Sequence, residues 1–244
     1  MTSQPEQATL RRLGLVRRGR WLFRGMDVMV PRGKFIAVVG PSGAGKTSLL
    51  GCLAGTVVPS EGEVVFQCSH GCRHSPPAFR KRLGIVFQNF LLINNGTLLH
   101  NVLCGRLGRY PWWRTLSGFP RTDRAEASEI LNRLGLAPHI HRRAFEVSGG
   151  EQQRAALARA LFQEPEMLLA DEPVSNLDSD LTSRVLEILR EQTRGQSRTV
   201  VCVLHDQDLV ERFADLVISL NPDQPEQWTI RALRPDDDNS ATRW

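Results

Sequence analysis

Five consecutive apolar residues, Phe35 to Val39, run without a polar interruption. A half-buried strand alternates with period two, so a short continuous run rich in β-branched side chains marks a strand covered on both faces. Met167 to Ala170 and Thr199 to Leu204 repeat that pattern, and Glu63 to Phe66 and Leu83 to Phe87 read as further strands. Between them the spacing turns helical over Ser48 to Ala54, about Gly149 to Phe162 and about Asp180 to Gln192. Strands alternating with helices predict an α/β core. Residues 10–35 mix short apolar runs with arginine and end at the turn Pro31-Arg32-Gly33.

From Leu98 to Phe145 the texture changes. Leu131, Leu134 and Leu136 lie beside Glu126, Glu129 and Arg133 in helical spacing, while Gly118, Pro120 and Pro138 punctuate. The expected organisation is one domain over 1–244. Residues 1–88 and 148–220 form the α/β core, 89–147 an inserted, largely helical subdomain, and 221–244 a tail frayed over Asp236 to Trp244. No internal repeat is visible.

Composition narrows the class. A length of 244 residues supports a buried core, and 41% hydrophobic with 23% charged residues exclude a disordered chain. The net charge of +5 permits contact with nucleic acid, phosphates or an anionic membrane and selects none of them. Met1 to Leu10 has no basic region followed by an apolar run, and no stretch approaches the roughly 18–20 apolar residues of a membrane span. Cys52, Cys68, Cys72, Cys104 and Cys202 are odd in number, which suits reduced thiols in a cytosol better than a disulfide framework.

The candidate chemistry begins at Gly40-Pro41-Ser42-Gly43-Ala44-Gly45-Lys46-Thr47, followed by Ser48. Strand, glycine loop and helix in succession form the setting of a phosphate-binding loop. Glycines let backbone N–H groups curl around phosphates at the positive end of a helix. Lys46 is placed to neutralise the β/γ-phosphates of ATP, and the Thr47 hydroxyl to bind Mg²⁺. The strand Met167 to Ala170 delivers Asp171, a metal ligand, and Glu172, a carboxylate able to orient and polarise water. Val147-Ser148-Gly149-Gly150-Glu151-Gln152-Gln153-Arg154 lies between these two motifs. Gln88 follows a strand, Ser175-Asn176-Leu177-Asp178 follows Glu172, and His205 follows the strand ending at Leu204.

In this order over about residues 10–220, the motifs resemble those of ABC ATPases, whose signature is Leu-Ser-Gly-Gly-Gln. The resemblance implies the phosphate-loop ABC cassette: a mixed-sheet core with an inserted helical subdomain. It implies that Gln88 senses Mg²⁺ and the attacking water and links to the helical subdomain. Ser148, Gly149 and Gly150 would contact the γ-phosphate held by a second subunit, and Asp178 would communicate across that dimer. His205 would contact the γ-phosphate and hold the catalytic geometry with Glu172. The implied partners are a second copy of the subunit, transmembrane permease subunits and, through them, a periplasmic or lipoprotein solute-binding protein. The implied place is the cytoplasmic face of the cell membrane.

The chain departs from that pattern in three places. Val147 and Glu151 replace the signature's leucine and glutamine. Arg18, beside Gly19, stands where the family has an aromatic that stacks on adenine, with Trp21 as a nearby substitute. Cys68-Ser69-His70-Gly71-Cys72-Arg73-His74 mixes metal-ligand types, but its alternate-residue spacing is poor for a tetrahedral site and reads as a surface loop.

The stretch Asn101 to Leu116, with Gly105-Arg106-Leu107-Gly108-Arg109 followed by Tyr110-Pro111-Trp112-Trp113-Arg114, is similar to that of phosphonate-importer ATPases. Its aromatics are then expected on the face that receives a permease's coupling helix. The resemblance favours import in the phosphonate or phosphite class, with another importer or an exporter as the alternative. A soluble ABC ATPase acting on DNA or ribosomes needs a long coiled coil or two cassettes, which this chain lacks, so no nucleic acid is expected. A phosphate-loop kinase has no use for Ser148-Gly149-Gly150 or His205, and a binding-only subunit none for intact Lys46, Asp171, Glu172 and His205.

Overall fold

A computed structural model describes residues 6–67, 73–111 and 118–234. Two sheets form the frame. The N-terminal one is antiparallel, with β1 (Glu6–Arg17), β2 (Arg20–Pro31), β4 (Glu61–Gln67) and β5 (Arg73–His74) in the order β2-β1-β4-β5. β1 and β2 form a hairpin closed by Arg18 and Gly19, whose φ angles are 50° and 74°. Two residues at positive φ make the turn that suits the twist of a hairpin, and glycine takes that conformation at no steric cost. The period-two pattern is hidden in the sequence because register shifts interrupt it. Ala8, Leu10, Leu13 and Leu15 are all buried, and the break between Leu10 and Leu13 holds Arg12 at φ 46° with its N–H donated to Asp27 Oδ1 at 2.9 Å. Mixed apolar and arginine runs over 10–35 are thus two long strands.

The second sheet carries β3 (Phe35–Val39), β6 (Leu83–Val86), β7 (Met167–Ala170), β8 (Thr199–Val203), β9 (Leu216–Ser219) and β10 (Thr229–Ala232), in the order β10-β9-β3-β8-β7-β6. β6 to β9 and β3 run parallel, and β10 closes the β9 edge antiparallel. β10 lies within the stretch 221–244 expected as a tail; residues 235–244, including the end expected to fray, lie outside the described residues.

The continuous apolar runs are explained by two cores, one on each face of this sheet. Phe35, Ala37, Leu168, Ala170, Val200 and Cys202 face one, and Ile36, Val38, Met167, Leu169, Val201 and Val203 the other. The second core also holds the buried residues of α1 (Lys46–Ala54) and of the antiparallel sheet, so α1 lies between the two sheets. On the opposite face pack α3 (Leu98–Leu103), α4 (Arg121–Arg133), α5 (Gly149–Phe162), α6 (Ser179–Gln196) and α7 (Gln207–Phe213). A short α2 (Pro76–Phe79) precedes β6. Between Val86 and Ser148 the described regular elements are helical, α3 and α4 with short 3₁₀ turns.

A buried ion pair holds α6 to β9's entry. Asp215 accepts from both terminal nitrogens of Arg190, one at 2.7 Å, and from the Phe35 N–H at 2.8 Å. Burial alone pushes this carboxyl up, but the Arg190 and Phe35 donations and the charges of Arg190 and Lys34 outweigh it, so it titrates below the usual range. A carboxyl lowered in the folded state stabilises the fold above its unfolded pKa of about 3.9 and loses that contribution as pH falls through the lowered value. Asp215→Asn leaves Arg190 buried and unpaired, which costs about 3–5 kcal/mol at neutral pH. Urea denaturation of both proteins should show that difference near pH 7 and its shrinkage as the pH falls below about 4.

Candidate active site

In an open sheet of parallel strands, ligands sit beyond the carboxyl ends, where loops from neighbouring strands meet. Here the order β3-β8-β7-β6 lines up four loops that are far apart in the chain. They carry, in turn, Lys46 and Thr47, His205, Asp171 with Glu172, and Gln88.

The loop after β3 is shaped by glycine. Gly40 has φ 146°, and a Cβ there would lie 2.7 Å from the Leu220 carbonyl oxygen, so no larger residue fits. The loop's Pro41, Ser42 and Gly43 are exposed, while Ala44 is buried against the core and anchors it. Gly45 caps α1, and Lys46 and Thr47 open that helix, with Ser48 half-buried behind them. Lys46 is buried, and its Nζ donates to the carbonyl oxygens of Gly40 at 2.8 Å and Pro41 at 2.9 Å. The cation is therefore held over the mouth of the loop.

Asp171 follows β7 directly, its N–H donated to Val86 O at 3.1 Å. Its carboxylate is buried; the Thr47 hydroxyl donates to it, and Oδ1 has no hydrogen-bond partner. Burial pushes the carboxyl up, the nearby Glu172 charge adds to this, and the Thr47 hydroxyl, Lys46 and His205 pull it back. A buried carboxylate oxygen with no partner beside a hydroxyl is a donor set that a hard cation satisfies. Among the described residues no three His, Cys, Asp or Glu side chains cluster to hold a metal. Mg²⁺ binds through one or two protein oxygens plus substrate phosphates and water, a demand that the Thr47 hydroxyl and the free Asp171 oxygen can meet. Gln88, two residues beyond the end of β6, the strand next to the one that delivers Asp171, is exposed.

Glu172 sits at φ 51°, a left-handed conformation uncommon outside glycine. His205 Nε2 lies 2.6 Å from its Oε1. Glu172 and His205 line a cavity of about 380 Å³ together with Ser175, Ser179 and Thr182. Asp178 caps α6, accepting from Leu181 N–H at 2.9 Å.

Ser148 caps α5 in a reciprocal box. Its Oγ accepts from Glu151 N–H at 3.3 Å, and its own N–H donates to Glu151 Oε2 at 2.7 Å. Glu151 Oε1 pairs with His139 Nε2 at 3.1 Å. Burial raises this carboxyl, but the Ser148 donations, His139 and Arg154 prevail and hold it below the usual range. The negative charge in place of glutamine is thus turned back onto its own helix and leaves the exposed Ser148 and Gly149, and the half-buried Gly150, open. No hydrogen bond among the described residues joins these three to the Lys46 loop.

The family model described as ABC transporter matches residues 23–175. The chain belongs to the ABC transporter family. Among curated relatives, the phosphonates import ATP-binding protein PhnC of Trichormus variabilis is 43% identical over 192 residues, 79% of each chain. That of Paraburkholderia xenovorans is 39% identical over 210 residues, covering 83% of this chain and 70% of its own. A solved dimeric structure of MJ0796, a bacterial ABC transporter cassette, superposes with a TM-score of 0.82 at 27% identity, over 94% of this chain and all of that one. The same cassette in a post-hydrolysis state bound to ADP and Pi superposes equally well. This ABC cassette is an ATPase whose nucleotide is ATP.

The hairpin tip, where the resemblance leads one to expect an aromatic, holds Arg18, which is exposed. Trp21 is engaged elsewhere: the Arg24 guanidinium lies 4.6 Å above its ring, and Gly14 packs against its edge. Of the two stacking candidates, Arg18 is the one with a free face.

The arginines of the Gly105-to-Tyr110 run are spent inside the cassette. Arg106 is buried, stacked 3.9 Å over the Phe162 ring and bonded to Asp123, Glu126 and Phe162 O. Arg109 pairs with Glu164 at 2.7 Å, and Tyr110 donates to Asp123 at 2.7 Å. Trp112 to Leu116, where the coupling-helix aromatics are expected, and Cys68 to Cys72, most of the Cys68-to-His74 loop, lie outside the described residues.

Three residues that sequence reasoning did not single out position the site. Asn101, fully buried, bonds Ile93, Gly96 and Thr97 through their backbones and fixes the loop beyond Gln88. Arg159 donates to Phe90 O and Leu91 O, and Gln153 to Glu172 O. Arg159 and Gln153 both lie on α5, where a polar residue inside an alanine-rich buried helix was the available signal.

Proposed function

We propose that this cassette is the ATP-hydrolysing subunit of an importer for phosphonates or phosphite, acting as a homodimer against a permease at the cytoplasmic face of the membrane. The contact between Glu172 and His205 at 2.6 Å, beside the unpartnered oxygen of Asp171, carries the catalytic part of this reading. Lys46 and the loop of residues 40–48, through the backbone N–H groups that all but Pro41 carry, bind the β- and γ-phosphates. Thr47, Asp171 and Gln88 hold Mg²⁺, which supplies neutralisation of the charge spread over the phosphate oxygens. Glu172 orients and polarises the attacking water, and His205 fixes Glu172 and contacts the γ-phosphate. Ser148, Gly149 and Gly150 complete the site of the second copy at a helix N-terminus. Their exposure supports a role outside their own chain, as does the dimer formed by MJ0796.

Docking of a permease is supported by Leu91, Ile93 and Phe145, exposed apolar side chains on two segments joined by Phe145 N–H to Asn94 O. The solute class rests on the phosphonate importers among the relatives, 35–43% identical over about four fifths of this chain. A solute-binding protein acts through the permease and does not touch this chain.

The test is a tagged pull-down from native membranes, with ATPase activity measured with and without a phosphonate-loaded binding protein. Co-purification of a permease and phosphonate-stimulated hydrolysis is the expected result. A permease without that response refutes the solute class, and soluble partners alone refute the transporter assembly.

A further inference from the structure

Helix α5 touches the catalytic machinery at a point that phosphate chemistry alone does not require. Gln153, five residues from the signature serine, is 2% exposed, and its Nε2 donates to the Glu172 carbonyl oxygen at 2.7 Å. That carbonyl belongs to a residue in left-handed backbone, φ 51°, and the remaining restraints on it come from its own turn: Ser175 N–H at 3.3 Å and Ser175 Oγ at 3.2 Å. Gln153 is the restraint that arrives from another element.

Its other end is unfavourable. Gln153 Oε1 is buried and has no hydrogen-bond partner. A buried acceptor left unmade costs free energy; an apolar side chain would remove it, while the Glu172 carbonyl would keep its two Ser175 donors. Stability therefore does not account for an amide here, whereas a fixed Glu172 backbone does.

The same helix reaches the loop beyond Gln88, where Arg159 donates to Leu91 O at 2.6 Å and Phe90 O at 2.8 Å. Both acceptors again sit at positive φ, 56° for Phe90 and 47° for Leu91. One rigid helix thus carries the signature serine at its cap, the Glu172 tether in its second turn and the Gln88-loop tether in its third.

We infer that Gln153 is a positioning residue: by holding the Glu172 main chain it sets where the carboxylate stands, and it makes that placement follow the position of α5. The inference rests on the reading of Glu172 as the residue that polarises water. A 1 Å displacement of such a group costs up to about a hundredfold in rate.

The test uses the purified full-length chain, with kcat and KM for ATP and a thermal melt measured for Gln153→Met, Gln153→Lys and Glu172→Gln. Methionine keeps the length and loses the donor, and lysine restores a donor of similar reach. Gln153→Met is expected to lower kcat about tenfold or more while KM and the melting temperature stay near wild type. Gln153→Lys is expected to recover most of that loss. A Gln153→Met protein with wild-type kcat, beside an inactive Glu172→Gln, overturns the inference and leaves the reading of Glu172 standing. A loss of kcat accompanied by a raised KM and a lowered melt, and not recovered by lysine, assigns Gln153 to folding and also overturns it. Wild-type hydrolysis by Glu172→Gln removes the reading itself, and the inference with it.

Discussion

Glu172→Gln is expected to lower kcat by about 10²–10⁴-fold, the usual contribution of a positioned general base, while ATP remains bound. The substitution keeps the side chain's size, so the contact to His205 Nε2 at 2.6 Å and the Gln153 tether to the main chain have no steric reason to break. What disappears is a negative charge. None of the phosphate-binding groups is touched: Lys46 stays over its loop, and Thr47 stays bonded to Asp171. Loss of the charge also relieves Asp171, whose carboxyl is raised first by burial and then by its neighbour Glu172. The ATP-bound state is therefore kept and its exit through hydrolysis closed, so mass action accumulates the ATP-loaded dimer. Steady-state hydrolysis reads the first effect, and size-exclusion chromatography with light scattering in saturating Mg-ATP reads the second. A monomer under those conditions sinks the shared-site reading, and near-normal turnover sinks the role of Glu172.

Lys46→Ala should act at the earlier step and remove nucleotide binding. Lys46 is buried, with its Nζ drawn in by two carbonyl oxygens, and its charge helps to pull the Asp171 carboxyl back down. A cation held by neutral dipoles is poised for a stronger anionic partner, which the β- and γ-phosphates provide. Deleting it leaves phosphate charge unpaired in a partly dry site, a loss of about 2–5 kcal/mol, or roughly 30-fold and more in Kd. The fold should survive, since alanine suits the first turn of α1 and a buried unpaired charge is removed. Calorimetric titration with Mg-ATP, beside a thermal melt, separates the two effects. Unchanged affinity would mean that the loop's N–H groups suffice alone.

The motifs with special backbone demands were the legible part of the sequence. Phe35–Val39, Gly149–Phe162 and Met167–Ala170 have the bounds that their patterns suggested, because strands buried on both faces and a helix buried nearly all round leave no ambiguity of period. The long hairpin of β1 and β2 was not legible, since its bulges shift the alternation and six arginines stand within it. β9 and β10 escaped as well. β9 is a four-residue strand covered by pairing with β3 from the far end of the chain, and β10 is mostly exposed and exists by pairing with its near neighbour β9. At the site, the side chains with proposed roles toward phosphate, metal or water announce themselves by residue type, as Lys46, Asp171 and His205 do. Gln153, Asn101 and Arg159 act through backbone carbonyls, which any donor can serve, and only their neighbours in space reveal them.

The parallel sheet that lines up these loops also fixes when the site comes into being. Phe35 pairs with Val200 and Leu83 with Met167, so the strand ends bearing Lys46, Gln88, Asp171 and His205 meet only after very long stretches of chain have closed. Loop closure must be met in entropy before such pairings return anything, which makes non-local sheets slow to assemble. No fragment ending before β8 holds the complete row. During synthesis the ribosome must therefore release most of the polypeptide before the full row can form, so the capacity to hydrolyse ATP arrives late although the Lys46 loop emerges early.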